Sequence, residues 1–584
     1  MIKTAPVHPD GHASIAALLG DAMLQFRDEL ACLELDRKKE RTRLTYAQFH
    51  AEARRVARRL ELMGYGAGDR VAIIMSNQPA WLVTAFAAFM RGMVLVPLDW
   101  RAPTDDQVAL LRHANPRLLV TESHLFSKIF AAATRVGWEP DLPVMLTEAV
   151  GPLPEGLARW EDPAPDDAPP TQIARTRDDV ACIVYTSGTS GRPRGVMLTH
   201  GAYLSQLAAL MEVHPLHLGD RYFSVLPTNH AIDFMVGFVG PLASGATVLH
   251  QKVLRPETIV DTMRLERPTH MAVVPLLLTA FEKSLDDKLG KLPRWQKAAV
   301  DALIAVNAGL TERRPLQGLS RVLLKPIHDA FGGRLRVIFA GGALVDRKRA
   351  ERFYALGLPV VIGYGLTEAC TVATVQDLAP FRADSVGRPL AGIEVAIRDA
   401  APDGVGEVFV RGPTVMQGYL DDPDATAEVL SPDGWLRTGD LGRVDASGHL
   451  HLVGRKKDMI VTAGGKNIYP EDVEAAFSGI GDELVVFAEN FVWPRDGLTG
   501  ERLVAVARAA DWADARARIQ QANRKLPEAR RVWGLVRAPE PFPRTASMKV
   551  KRHELARALG ASLPRDAIEE LVVAGPSGVP GSAR

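Results

Sequence analysis

Apolar residues recur at helical spacing through LTYAQFHAEARRVARRLELMG (Leu44–Gly64), which predicts an amphipathic helix closed by glycine. The segments that follow alternate in kind. GDRVAIIMSN holds a short apolar run that predicts a strand, PAWLVTAFAAFMRG predicts a helix, and MVLVPLD a second strand. Strand-helix-strand alternation predicts a parallel sheet flanked by helices. Residues 151–172, rich in Pro and Asp, read as a surface loop or linker. A second alternating run contains predicted strands at Val180–Tyr185, Arg334–Ala340 and Leu358–Gly365, and the stretch Lys283–Arg336 between them has helical periodicity. Beyond about residue 385 the texture changes to short strands and many glycines (EVFVRGP, GWLRTGD, GHLHLVGR), which predicts a small β-rich unit. From about Lys457 the α/β alternation resumes.

Length and charge narrow the class. A chain of 584 residues is too long for one ordinary core. Its 47% hydrophobic and 24% charged content is that of a soluble globular protein. Lys and Arg number 70 against 69 Asp and Glu, a formal charge of +1, which argues against a bulk electrostatic grip on nucleic acid. Cys32, Cys182 and Cys370 are widely separated and form no CxxC pair or Cys/His cluster, so they read as reduced thiols rather than zinc ligands. The two most apolar windows, Trp81–Leu98 and Ala231–Leu249, are interrupted by Arg91 and Pro97, and by Asp233, three glycines and Pro241. Neither offers the ~20 uninterrupted apolar residues of a spanning helix, so both predict buried helix-turn-strand units. No secretory signal is evident near the start, and the expectation is a cytoplasmic protein with peripheral membrane contact left open. The stretch Lys283–Arg336 holds eleven Lys and Arg against five Asp and Glu, a local net of +6. It reads either as a solvated helical excursion or as a basic face for an anionic membrane or the phosphates of coenzyme A.

The strongest local chemistry is YTSGTSGRPRGV, Tyr185–Val196. After a strand come Thr186, Ser187, Gly188, Thr189, Ser190 and Gly191, then Arg192 and Arg194. Glycines let backbone N–H groups turn toward an anion, hydroxyls donate further hydrogen bonds, and arginine neutralises charge, so the run suits phosphate. The order of its parts differs from the GxxxxGK[ST] loop of P-loop NTPases.

This loop resembles that of the acyl-adenylate-forming superfamily, which includes acyl-CoA synthetases, adenylation domains of peptide synthetases and beetle luciferases. The family pattern is roughly Y/F-TSGTTGxPKGV. Ser190 replaces its threonine and Arg194 its lysine, and arginine keeps the charge but not the shape, which predicts altered phosphate contact. Further segments match in order: LPTNHAID (Leu226–Asp233), FAGGALV (Phe339–Val345), GYGLTEA (Gly363–Ala369), GWLRTGDLG (Gly434–Gly442), GRKKDMIVTAGGKNIYPEDVE (Gly454–Glu474) and PRTASMKVKR (Pro543–Arg552). The likeness runs from about Thr45 to Arg552. Within the family, TASMKVKR and the excursion Lys283–Arg336 look like long-chain fatty acyl-CoA synthetases. The implied fold is α/β. A large N-terminal domain (1–456) would comprise two α/β subdomains and a small β-barrel-like unit. A small mobile α+β C-terminal domain (457–574) would follow, with a disordered tail at 575–584.

The resemblance implies an acid:CoA ligase that uses ATP, Mg2+ and coenzyme A. Glu368 and Thr186 would hold the metal and Thr367 would lie beside the phosphates. Taken alone, a glutamate after Gly-x-Thr also reads as a helix N-terminal charge. Gly341, Gly342 and Ala343 would lie along adenine, with Tyr364 stacked on it and Gly365 following. Asp440 would accept from the ribose hydroxyls and Arg455 would donate to the nucleotide. His230, Phe234 and Met235 are candidates for the acyl pocket. Lys549 would stabilise the charge that builds when the carboxylate attacks the α-phosphate. Without the family pattern Lys549 reads as surface charge, and chemistry alone does not separate it from Lys551. Lys457 falls at the hinge about which the C-terminal domain rotates between half-reactions, and Gly464 and Gly465 would then approach the pantetheine arm. Three alternatives remain open: an acyl-AMP ligase loading an acyl carrier protein, a CoA ligase for an aryl or other non-fatty acid, and a nucleotide-binding module without turnover.

Overall fold

The expected helix after Leu44 begins two residues later, at Tyr46, and runs to Leu62 because Thr45 caps it. The Thr45 hydroxyl accepts from Gln48 N (3.2 Å) and the Gln48 side chain accepts from Thr45 N (2.9 Å), a reciprocal pair that satisfies two otherwise orphaned donors. Leu44 and Thr45 themselves end the strand Lys39–Thr45, which pairs antiparallel with Leu30–Asp36. The structure, a computed structural model, describes residues 5–138, 141–186, 193–342, 345–461, 467–494, 501–544 and 550–571. Within these the chain forms two compact units. The first comprises 1–396, 409–438 and 446–450, and the second 397–408, 439–445 and 451–584.

Two large sheets build the first unit. One has eight strands in the order Gly418–Tyr419, Arg194–Thr199, Val180–Thr186, Val94–Pro97, Arg70–Ile74, Leu118–Glu122, Val144–Thr147, Leu157–Arg159. The last of these lies inside the predicted loop 151–172, adding parallel to Val144–Thr147 at the sheet edge. The other sheet has nine strands, in the order Arg388–Pro389, Thr374–Val375, Val360–Tyr364, Val337–Ala340, His270–Val273, Arg221–Phe223, Thr247–Gln251, Leu30–Asp36, Lys39–Thr45. Both are parallel at the centre; the nine-stranded sheet is antiparallel at both rims and the eight-stranded sheet only at the rim of Gly418–Tyr419. Central parallel strands are covered on both faces, so they read as unbroken apolar runs rather than alternating ones. The predicted strand Arg334–Ala340 shortens to Val337–Ala340 because its partner is only four residues long, with His270 opposite Val337 and Val273 opposite Ala340.

The apolar window Trp81–Leu98 is the helix Pro79–Met90 followed by the strand Val94–Pro97. Every residue of that helix except Ala80 is buried, because the helix is enclosed on all sides. The window Ala231–Leu249 is likewise a bent helical run leading into Thr247–Gln251, and no helix among the described residues is long and apolar enough to cross a membrane. The excursion Lys283–Arg336 is helical, spanning the end of Pro275–Gly290, then Arg294–Thr311, Gln317–Leu323 and Lys325–Ala330.

The β-rich stretch forms a four-stranded sheet, Glu394–Arg398, Gly406–Arg411, Leu436–Val444 and Leu450–Arg455, and the chain passes between the two units within these strands. The second unit is α+β. Its four strands Glu483–Ala488, Leu503–Arg508, Gly534–Arg537 and Glu569–Glu570 carry the helices Pro470–Ala475, Trp512–Lys525 and Arg552–Ser562, closing cores around Val486, Ile519 and Leu535 on one side and Phe487, Val506 and Leu559 on the other.

Candidate active site

Three of the motif segments leave the carboxyl ends of strands in the nine-stranded sheet, where open α/β sheets gather ligands. Residues 224–233 follow Arg221–Phe223, Gly341 and Gly342 follow Val337–Ala340, and 365–369 follow Val360–Tyr364. They meet at Gly341. A Cβ built there would lie 3.4 Å from Gly363 O and 3.9 Å from Ile232 Cδ1, so segments more than a hundred residues apart in sequence touch at one glycine. Tyr364 is buried beside them.

Glu368 is held by a tight reversal. Leu366 O accepts from both Ala369 N (3.0 Å) and Thr371 N (3.1 Å), and Thr367 O accepts from Cys370 N (3.1 Å). The reversal brings Thr371 back against Gly365, where a Cβ would run into the Thr371 carbonyl, so this position requires glycine. Glu368 also accepts Met416 N at its backbone oxygen (2.8 Å), and its Oε1 accepts the Tyr419 hydroxyl at 3.0 Å. Burial, and then the Glu368 charge, hold the Tyr419 phenol above its usual pKa, so the proton stays on oxygen and Tyr419 is the donor.

Tyr419 also connects to the phosphate loop. Its strand, Gly418–Tyr419, pairs with Arg194–Thr199, and the Arg194 guanidinium stands 5.1 Å from the Tyr419 ring centre. Arg194 Nε lies 3.8 Å from Asp422 and Nη2 lies 4.0 Å from Glu428. Arg194 pairs across the ladder with Thr186, so the glycine-hydroxyl run joins the tips of two antiparallel strands. Thr186, Arg194, Tyr419 and Glu368 therefore form one continuous neighbourhood. Tyr419 was not expected from sequence. Its partner Glu368 lies 51 residues earlier, and a tyrosine in MQGYLDDP carries no local signal of that contact.

The loop 226–233 is fixed by Asp233, which is fully buried. Its Oδ1 accepts the Tyr222 hydroxyl (3.0 Å), and its Oδ2 accepts those of Ser224 (2.8 Å) and Thr228 (3.0 Å). Asn77 completes the set, donating to Ser224 Oγ (2.8 Å) and accepting from Thr228 N (3.0 Å). Burial raises the Asp233 carboxyl to about 6 despite these donors. His230 caps the short helix Ala231–Phe234, burial holds its imidazole below the ordinary range, and its Nε2 is buried with no hydrogen-bond partner among the described residues. Phe234, 2% exposed, is closed in among Trp81, Tyr203 and Phe238, and Met235 is buried beside it.

In the second unit Asp440 and Arg455 pair, Oδ1 to Nε at 2.7 Å, and Lys456 pairs with Glu407 at 2.7 Å. Lys457 is exposed in the turn Lys456–Asp458. Lys551 pairs with Glu554 at 3.1 Å. The chain flanking 545–549 is tied by a bridge between Arg544 and Val550, and Arg544 is held by Glu483 at 2.7 Å. Ser187, Gly188, Thr189, Ser190, Gly191, Ala343, Gly464, Gly465, Lys549 and the tail 575–584 lie outside the described residues.

A protein-family model described as AMP-binding enzyme matches residues 21–420, more than half of the chain. The chain belongs to this family. Among the curated relatives of this AMP-binding enzyme is a feruloyl-CoA synthase of an Amycolatopsis species, 31% identical over 89% of this chain and 94% of its own length. An indoleacetate–CoA ligase of Aromatoleum aromaticum is 30% identical over 79% and 82% of the two chains. A long-chain-fatty-acid–CoA ligase of Mycobacterium bovis is 29% identical over 74% and 73%. The fold matches that of ATP-bound MatB from Rhodopseudomonas palustris with a TM-score of 0.71 at 24% identity, covering 93% of this chain and 99% of that one. At that identity the likeness speaks to the fold alone.

Proposed function

We propose that this AMP-binding enzyme is an ATP-dependent acid:CoA ligase. A carboxylate oxygen attacks the α-phosphorus of ATP, the bond to the β-phosphate oxygen breaks, and pyrophosphate leaves. The acyl-adenylate is then attacked at its carbonyl by the coenzyme A thiol, which gives up its proton as AMP departs. The observation that carries this reading is the connected set Thr186, Arg194, Tyr419 and Glu368 at the root of the hydroxyl-glycine loop. It couples a phosphate-binding element to a carboxylate fixed at a strand end.

The residues of this set fit Mg2+. Glu368 and Thr186 offer hard oxygen donors, and an ion that takes one or two protein oxygens and fills the rest of its shell with water and phosphate needs no larger cluster. No group of three or more His, Cys, Asp or Glu is gathered for a metal among the described residues. Bound there, the ion would neutralise charge on the ATP phosphates. Arg194 is already engaged by Tyr419, Asp422 and Glu428, so its charge is shared between these groups and phosphate. Lys549 supplies the cation that meets the charge built up around α-phosphorus, Asp440 and Arg455 contact the nucleotide, and rotation of the 457–574 region at Lys457 brings Gly464 and Gly465 to the second half-reaction.

For the acid, the reading is a carboxylate with a long apolar body. TASMKVKR and the helical excursion support a fatty acid. The names of two relatives, a feruloyl-CoA synthase and an indoleacetate–CoA ligase, favour an aryl acid as a second reading. The orphaned Nε2 of His230 is a buried polar atom suited to a substrate oxygen. Pyrophosphate release measured from acetate to stearate, and with ferulate and indoleacetate, separates the two. Running each acid with and without coenzyme A, and with an acyl carrier protein, tests the acceptor. A maximum at acetate removes both substrate readings, and turnover that needs the carrier protein removes coenzyme A.

A further inference from the structure

The helix Arg294–Thr311 carries two apolar stripes, and the body of the protein uses only one. Val300 and Ile304 pack on the core around Phe281 and Phe331, Asn307 donates to Ala355 O (2.8 Å), and Thr311 O accepts the Tyr354 hydroxyl (2.9 Å). The second stripe is Trp295, Leu303, Val306 and Leu310, exposed by 71%, 39%, 51% and 54%. Steps of eight, three and four residues put these four on one side of a helix. The next helix, Gln317–Leu323, adds Leu319 and Val322, exposed by 37% and 76%. Exposed apolar residues scattered singly need no explanation, but a row at helical spacing is a face.

Cations bracket the row. Lys291 and Arg294 precede Trp295, Arg313 and Arg314 follow Leu310, and all four are exposed. On the helix itself Asp301 is neutralised by Lys297 at 2.9 Å. The whole segment Lys283–Arg336 has a net charge of +6.

We propose that this face docks on an anionic lipid surface, with the helix lying in the plane of the interface. A row of Trp, Leu and Val enters the boundary between headgroups and acyl chains, Lys and Arg meet the lipid phosphates, and an amphipathic tryptophan suits that depth. Charge favours this occupant over a second copy of the chain. A two-fold contact through the same face would set one +6 segment against another. The inference does not rest on the proposed reaction, although an acid with a long apolar body would be concentrated at the same surface.

The test is co-sedimentation of the full chain with phosphatidylcholine vesicles, with and without about 30% phosphatidylserine. Binding is expected to the anionic vesicles only, and to weaken as salt rises. Trp295→Ala should weaken it about tenfold, the loss of one partly inserted apolar side chain. The pair Arg313→Ala and Arg314→Ala should weaken it about thirtyfold, from about 1 kcal/mol per cation. Each variant should keep wild-type melting and wild-type pyrophosphate release with a water-soluble acid, which separates lost docking from lost folding or chemistry. Equal binding to neutral and anionic vesicles, no binding at all, or binding unchanged in both variants would overturn the proposal. So would a concentration-dependent dimer that Trp295→Ala dissociates, because the face would then belong to a second copy.

Discussion

Replacing Tyr419 with phenylalanine removes one oxygen from the junction between the phosphate loop and the strand-end carboxylate. The hydroxyl donates to Glu368 Oε1 at 3.0 Å, a hydrogen bond to a charged acceptor worth roughly 1.5–3 kcal/mol. The ring stays beneath Arg194 at 5.1 Å, and Phe still offers a face to a guanidinium, so the strand pairing of Gly418–Tyr419 should survive. Glu368 is half-buried, and water can replace the lost donor, so the cost to folding is small. What changes is the orientation of the carboxylate. Losing a hydrogen bond that orients a metal ligand costs about 10- to 100-fold in metal affinity. The expected result is that the Mg2+ concentration needed for ATP to raise the melting temperature increases about tenfold or more. Melting without ligand should barely move. Combining Tyr419→Phe with Glu368→Gln tests the route: if Tyr419 acts through Glu368, the double variant is no worse than Glu368→Gln alone. A wild-type Mg2+ midpoint in Tyr419→Phe, or a full additional loss in the double variant, would refute the reasoning. If ATP and Mg2+ fail to stabilise the wild type at all, the fault lies with the proposed reaction instead.

Lys549→Ala should lower acyl-adenylate formation by about a hundredfold, roughly 3 kcal/mol of transition-state stabilisation, while thioester formation from supplied acyl-adenylate persists; equal loss in both half-reactions contradicts the assignment. Gly365→Ala forces a methyl into the Thr371 carbonyl and should destabilise by about 1–3 kcal/mol, with loss of pyrophosphate release; a wild-type urea midpoint would mean the Glu368 reversal is not the rigid element described. Asp233 predicts a pH dependence. Its folded pKa of about 6 lies above the ordinary value of 3.8, so its favourable contribution is complete below about pH 4 and is lost as pH rises through 6. The wild type should lose up to about 3 kcal/mol of stability relative to Asp233→Asn between pH 4 and 7, at about 1.36 kcal/mol per unit, and a difference that does not change with pH would count against a buried, strained carboxylate. His250 and His270, both held by burial near 3, act in the opposite sense and should make the fold acid-labile below about 6.5. His250→Phe should relieve part of that loss in acid unfolding curves.

The sequence by itself determined whatever is written in neighbouring residues. The central strands announced themselves as apolar runs because parallel strands are covered on both faces. Helical spacing over Leu44–Gly64 marked the first long helix because its signal repeats every three to four residues, and the cap of Thr45 and Gln48 then set its start. The hydroxyl-glycine loop spoke of phosphate because its donors are consecutive in the chain. Those local signals predicted the α/β architecture, and the resemblance of the ordered motifs to a known family named Glu368, Thr186 and Gly341 as site candidates. Only the tertiary structure decided what depends on contacts across the chain. It brought Tyr419 to Glu368 from 51 residues away, and it set Arg194 against Asp422 and Glu428. It made Asp233 the buried hub of a hydroxyl network whose members lie on a strand and a loop. The helix Arg294–Thr311 makes the same point. Periodicity shows apolar residues on both sides of that helix, but the side the core covers is set by where Tyr354, Ala355 and Phe331 fall in space, and a one-dimensional pattern carries no information on that.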